Sequence, residues 1–130
     1  MPTTYAIPNG RTVMAATLWT GTGATKNIDN TANGVSFQPD LVWLKIRSSA
    51  DSHGLFDSVR GASKRLQSND ANAEATTTAV QSAFLSNGFT VGTDAQSNGN
   101  GSTYVGWQWQ AGQGTTSSNT SGSITSTVSV

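Results

Sequence analysis

Phe37-Gln38-Pro39-Asp40-Leu41-Val42-Trp43-Leu44-Lys45-Ile46-Arg47 is the longest apolar run of the chain, and it stands directly behind a proline-marked turn. Val42, Leu44 and Ile46 alternate with Trp43, Lys45 and Arg47, so the aliphatic residues share one face of a strand and the other three share the opposite one, which continues from Leu41. The aliphatic face is expected in the core. The Trp43, Lys45, Arg47 face is then a candidate ligand surface or subunit interface. After the polar turn 48–52, Gly54-Leu55-Phe56-Asp57-Ser58 reads as the antiparallel partner, making a central hairpin.

Working outward, close to half of the residues are Ser, Thr, Gly or Asn, which favour turns and solvated strand faces over helix. Asn-Gly pairs, a strong hairpin signal, stand at Asn9-Gly10, Asn33-Gly34, Asn87-Gly88, Asn98-Gly99 and Asn100-Gly101. Residues 12–20 alternate Met14, Ala16 and Leu18 with Val13, Ala15, Thr17 and Trp19, as a strand does. Residues 62–67 suggest a further short strand. Residues 69–80 are polar and lack a sustained apolar period, which predicts a loop with one helical turn. Phe84-Leu85 and Phe89-Thr90-Val91 flank Asn87-Gly88 as two short strands supplying core.

Residues 103–110 alternate again, with Val105, Trp107 and Trp109 opposite Tyr104, Gly106, Gln108 and Gln110. Trp107 and Trp109 would fill a sandwich core beside Val105 or form a platform on which a sugar stacks, and the core reading is preferred. Tyr104, Gln108 and Gln110 then become candidates for an interface or ligand surface. Many short strands with turn signals between them predict an all-β fold, an antiparallel β-sandwich or jelly roll, over residues 1–112. Residues 113–122 read as a flexible Gly/Ser/Thr linker. Residues 123–130 read as a terminal strand, with Ile124, Val128 and Val130 on one face, that closes its own sheet or crosses to a neighbouring subunit.

Composition bounds the function. With 130 residues and no cysteine, the chain fits one domain without disulfides or thiolate metal sites. Seven basic against seven acidic residues give zero formal charge and only 11% charged residues, which argues against nucleic acid as a partner. No apolar stretch has the length of a membrane-spanning helix, and Met1-Pro2-Thr3-Thr4-Tyr5 lacks the basic start of a signal peptide, so synthesis in a cytoplasm without membrane insertion is expected. A sparsely charged surface suits a protein packed in an assembly.

Residues able to carry chemistry are few. His53 is the single histidine, and Asp51-Ser52-His53 with Asp57 invites a hydrolase reading. Neighbours on one turn cannot easily bring a hydroxyl and a carboxylate to opposite imidazole nitrogens, and no Gly-x-Ser-x-Gly elbow is present, so a turn or strand-end histidine is preferred. Asp94-Ala95-Gln96-Ser97-Asn98-Gly99 opens like a calcium loop, but Val105 stands where the closing Glu belongs. An ordinary loop is preferred there. Asp57 and Arg60 are placed to pair at the end of their strand, with Gly61 at a positive-φ position. No catalytic residue, metal site or cofactor is predicted.

The blocks Phe37-Gln38-Pro39-Asp40-Leu41-Val42-Trp43-Leu44-Lys45 and His53-Gly54-Leu55-Phe56-Asp57-Ser58-Val59-Arg60-Gly61 resemble a β-rich module of structural proteins in tailed bacteriophages, especially marine and cyanophage-like ones. Leu66-Gln67-Ser68-Asn69, Ala73-Glu74, Phe84-Leu85-Ser86-Asn87-Gly88-Phe89-Thr90-Val91-Gly92 and Thr103-Tyr104-Val105-Gly106-Trp107-Gln108-Trp109 follow in the order that family shows, so the resemblance spans residues 14–112. In longer relatives a run like 113–130 leads into a further module, which leaves open whether this chain is a single-module protein or a fragment. The resemblance implies a non-enzymatic virion protein, a self-assembling part of a tail fibre, tail appendage or capsid-surface fibre that contacts other virion proteins and the host surface. It carries over no catalytic motif. The alternative is a carbohydrate-binding or adhesin module that attaches to a host glycan through exposed aromatics.

Overall fold

The structure, a computed structural model, describes residues 9–111, 116–119, 123–124 and 126–129. Val130 and residues 1–8 of the chain lie outside the described residues. Two antiparallel sheets face one another and share one core, as an all-β sandwich does.

The first sheet has four strands in the order β1 (Met14–Thr20), β9 (Thr103–Trp109), β3 (Leu41–Ile46), β4 (Gly54–Asp57). The second has three, β2 (Lys26–Asp29), β8 (Gly88–Val91) and β7 (Gln81–Leu85). A two-stranded ribbon of β5 (Lys64–Arg65) and β6 (Ala75–Thr76) joins the outer edge of β4, where Leu55 and Leu66 exchange backbone hydrogen bonds at 2.9 and 3.0 Å. That attachment covers the hydrogen-bonding edge of β4. Residues 69–80, expected as loop with a helical turn, hold β6 and no helix.

β3 runs out from the proline turn with the burial its alternation predicts. Val42, Leu44 and Ile46 are buried, whereas Leu41, Trp43 and Lys45 are half-buried. From the first sheet Trp19, Phe56 and Tyr104 join them, and Ile28, Phe89 and Val91 meet them from the second. Trp19 bridges the layers, with its ring stacked on Tyr104 at 5.4 Å and edge-on to Phe89 at 5.9 Å. Gly106 lies under this contact: a Cβ there would stand 3.0 Å from Phe89 Cζ and 3.1 Å from Trp19 Cζ3, so any larger residue would have to push the two rings back by a few tenths of an ångström.

The loop between β8 and β9 is not an open polar loop. It contains α1 (Ala95–Asn98), whose Gln96, Ser97 and Asn98 are buried. Asp94 caps the helix by accepting from the Gln96 N–H at 2.8 Å. Asn98 accepts from the Thr22 N–H at 3.0 Å and donates to the carbonyls of Ala24 and Gly92. The oxygens that suggested a calcium loop are thus engaged in capping and in tying α1 to the β1–β2 connection. Past β9, the run 113–122 expected as linker holds β10 (Thr116–Asn119), which pairs with β11 (Ser126–Ser129) as an antiparallel hairpin.

Candidate functional site

The residues whose chemistry stands out gather on the outer face of the four-stranded sheet. Residues directly opposite one another on neighbouring strands point to the same side. The register therefore builds that face in rows. Met14, Trp109, Leu41 and Asp57 form the first row, and Ala16, Trp107, Trp43 and Leu55 the second. Leu18, Val105 and Lys45 form the third. Two of these rows are almost wholly apolar.

Three tryptophans dominate. Trp43 and Trp107, paired across β3 and β9, meet edge to face with centroids 5.7 Å apart and planes at 63°, a geometry worth about 0.5–1.5 kcal/mol beyond the area it buries. Together with Trp109 and Met14 they line a notch of about 320 Å³. All three rings are half-buried, while Met14 is 37% and Leu18 62% exposed. The notch thus lies in an apolar face that remains open to solvent.

His53 sits at the rim, in the turn before β4. The Trp43 indole Nε1–H donates to His53 Nδ1 at 2.8 Å, and the two rings are 5.6 Å apart. Asp51 accepts from the Ser52 N–H, and the Ser52 hydroxyl accepts from the Asn69 amide. The nitrogen that a relay would need is occupied by Trp43, so Asp51, Ser52 and His53 are not arranged as a triad. At the Asp57 end of the face, Arg60 Nε lies 2.6 Å from Asp57 Oδ2 and its Nη1 2.9 Å from Glu74 Oε2. Gly61 follows at φ 107°, the positive-φ position expected of it. Partial burial pushes the Asp57 carboxyl up, but hydrogen bonds from the Arg60 backbone and guanidinium, with the cation's charge, hold it below the usual carboxylate range.

The assignment of faces on β9 reverses the sequence reading. Tyr104 and Gln108, expected on a ligand or interface surface, are fully buried, and Trp107 and Trp109, expected in the core, are on the outer face. The physical reason lies in register. Trp107 is paired with Trp43 and Gln108 with Val42, so once the aliphatic side of β3 turns inward, Gln108 must follow it. Burial of these polar groups is compensated: Tyr104 OH donates to the Ala95 carbonyl and accepts from the Gly99 N–H, both at 2.7 Å. Gln108 donates to Thr17 Oγ1 at 3.0 Å and accepts from Asn30 Nδ2 at 3.3 Å.

The other candidates divide. Trp43 and Lys45 are on the outer face, Arg47 is exposed just past β3, and Gln110 is half-buried beyond β9 with its N–H donating to Val13 O. Ile124 is 81% exposed, Val128 pairs with Ser117 in the β10–β11 hairpin, and Val130 lies outside the described residues. Sequence reasoning passed over Met14 and Leu18 as site residues. Their signal was present in the alternation of residues 12–20, which puts both on one face, but that alternation does not say which face is covered.

Among the described residues, no three His, Asp or Glu side chains gather as a metal site would require. No curated protein and no solved structure matches the chain. A family model described as a domain of unknown function, DUF7483, matches residues 10–130, and the chain belongs to that family.

Proposed function

We propose that this protein is a non-enzymatic structural module of a tailed-phage virion, made in the host cytoplasm and built into a tail fibre, tail appendage or capsid-surface fibre, and that it works by docking through the outer face of its four-stranded sheet. The observation that carries the reading is the open apolar face of Met14, Trp43, Trp107 and Trp109 on a chain with so few charges. Exposed contiguous apolar surface marks a contact site. The blocks that resemble phage structural proteins support it further, because Phe37–Lys45, His53–Gly61 and Thr103–Trp109 contribute three of the four strands of that sheet. Immunogold electron microscopy of virions with antibody to the protein tests the placement: labelled fibres or appendages are expected, and particles without label would overturn it.

A second reading, a carbohydrate-binding or adhesin module, is favoured by one observation, the half-exposure of three tryptophans on a single sheet face. Aromatic faces of this kind stack on sugar rings through dispersion and C–H contacts. Iodide quenching of tryptophan fluorescence that host polysaccharide suppresses would support it. Quenching unaffected by polysaccharide would remove it.

A further inference from the structure

We infer that the occupant of this outer face is a second copy of the same chain, packed sheet to sheet across a two-fold axis that runs perpendicular to the strands. The inference rests on the docking role proposed above and names its partner. A two-fold interface requires a patch that complements itself. The patch has both halves of such a contact on one strand. Met14 borders the tryptophan notch, and Leu18, 62% exposed, projects from the same face of β1. Four residue steps along the strand separate them, about 13 Å.

An axis through the second row, Ala16 to Leu55, exchanges the first and third rows of the two copies. The partner's Leu18 then comes over Met14 at the mouth of the notch. The same operation sets the partner's Lys45 over Leu41, one strand away from Asp57. Asp57 is itself neutralised by Arg60, so the contact sets no bare charge against Lys45. Two copies of a chain with zero formal charge also approach without net repulsion.

The polar groups of the face favour a protein surface over a glycan. Sugar hydroxyls need hydrogen-bond partners as well as a stacking ring. The Trp43 N–H is already taken by His53 at 2.8 Å, and Lys45 Nζ donates to the Ile46 carbonyl at 2.7 Å. An apolar partner covering Trp43 would strand no donor of that indole. Size sets the strength. Four strands of four to seven residues, about 4.8 Å apart, cover roughly 380 Å² per copy, against about 800 Å² in a standard interface. The dimer should thus be weak in dilute solution and populated where an assembly holds copies at high local concentration.

Sedimentation velocity of the full chain, from micromolar to about 1 mM, tests the inference, with iodide quenching of tryptophan followed over the same range. The expected result is a monomer–dimer equilibrium in which quenching falls as the dimer forms. Leu18→Asp should weaken it at least tenfold, because the change buries an unpaired carboxylate against the notch. Ala16→Glu, on the axis row, sets like charges against each other and should do the same; both sites are exposed in the monomer, and unchanged circular dichroism checks their fold. A dimer indifferent to both substitutions would overturn the inference, since its interface would lie elsewhere. So would a chain that stays monomeric throughout. In that case tryptophans shielded from iodide mean that the chain covers its own face, and quenchable ones leave the face to a different partner. The virion placement fails separately, by absence of immunogold label.

Discussion

Trp43 and His53, ten residues apart across the β3–β4 turn, are joined by a hydrogen bond from the indole Nε1–H to Nδ1 at 2.8 Å. The acceptor role of Nδ1 places the proton of the neutral imidazole on Nε2. This contact fixes one wall of the notch, because the Trp43 ring lies 5.6 Å from His53 and 5.7 Å from Trp107.

His53→Phe retains a ring against Trp43 and removes the acceptor. Faster exchange of the Trp43 indole proton in NMR spectra and a loss of about 1 kcal/mol in urea unfolding are expected. An unchanged exchange rate would mean that the bond does not hold the ring.

Tyr104→Phe probes the buried side of β9. The hydroxyl answers both the Gly99 N–H and the Ala95 carbonyl, tying α1 to the sheet. Its removal leaves two backbone groups without that partner, for an expected loss of about 1–3 kcal/mol in denaturant unfolding.

Gly88→Ala should be far more costly. Gly88 opens β8 just after the turn with φ 153°, and a Cβ there would lie 2.0 Å from the Ile28 carbonyl oxygen, a backbone atom held by the β2–β8 ladder. A loss of more than about 4 kcal/mol, or no cooperative unfolding at all, is expected. Gly10→Ala, where a Cβ meets nothing within 4 Å, is the control and should change the thermal midpoint little.

Asp57 supplies a pH dependence. Its folded-state carboxyl titrates below the ordinary value of 3.8 despite partial burial, because Arg60 hydrogen-bonds and pairs with it. A depressed carboxylate stabilises the fold above its unfolded pKa, and the contribution disappears as pH falls through the folded value. Urea unfolding at pH 7 and at about pH 3 should show stability dropping in the native protein, and less steeply in Asp57→Asn. Equal slopes would mean that the Arg60 pair carries no net linkage.

Much of the architecture is legible along the chain. β1, β3, β4 and β9 begin and end within a few residues of where alternation and turn residues put them, and Asn87-Gly88 marks the β7–β8 turn. β2 was not foreseen, since Lys26-Asn27-Ile28-Asp29 holds a single large apolar residue and gains its strand geometry from the ladder with β8. α1 was missed for a related reason. Gln96, Ser97 and Asn98 are polar, and their hydrogen bonds to the carbonyls of Ser52, Val80 and Gly92, with one from the Trp19 indole to the Ser97 carbonyl, hold them as interior residues.

By itself, the sequence determined that the chain is built from short antiparallel strands, and that Val42, Leu44 and Ile46 face inward, because one side of that strand is aliphatic and the other carries Lys45 and Arg47. It did not determine the orientation of β9. There both sides offer large side chains, Val105, Trp107 and Trp109 on one and Tyr104 and Gln108 on the other, so period-two patterning does not distinguish them. The tertiary structure decided by pairing Trp107 with Trp43 and Gln108 with Val42, and by placing Gly106 where a Cβ would crowd Trp19 and Phe89. Register between strands sixty residues apart is a long-range property, and the same step that buries Tyr104 and Gln108 puts the tryptophans outside.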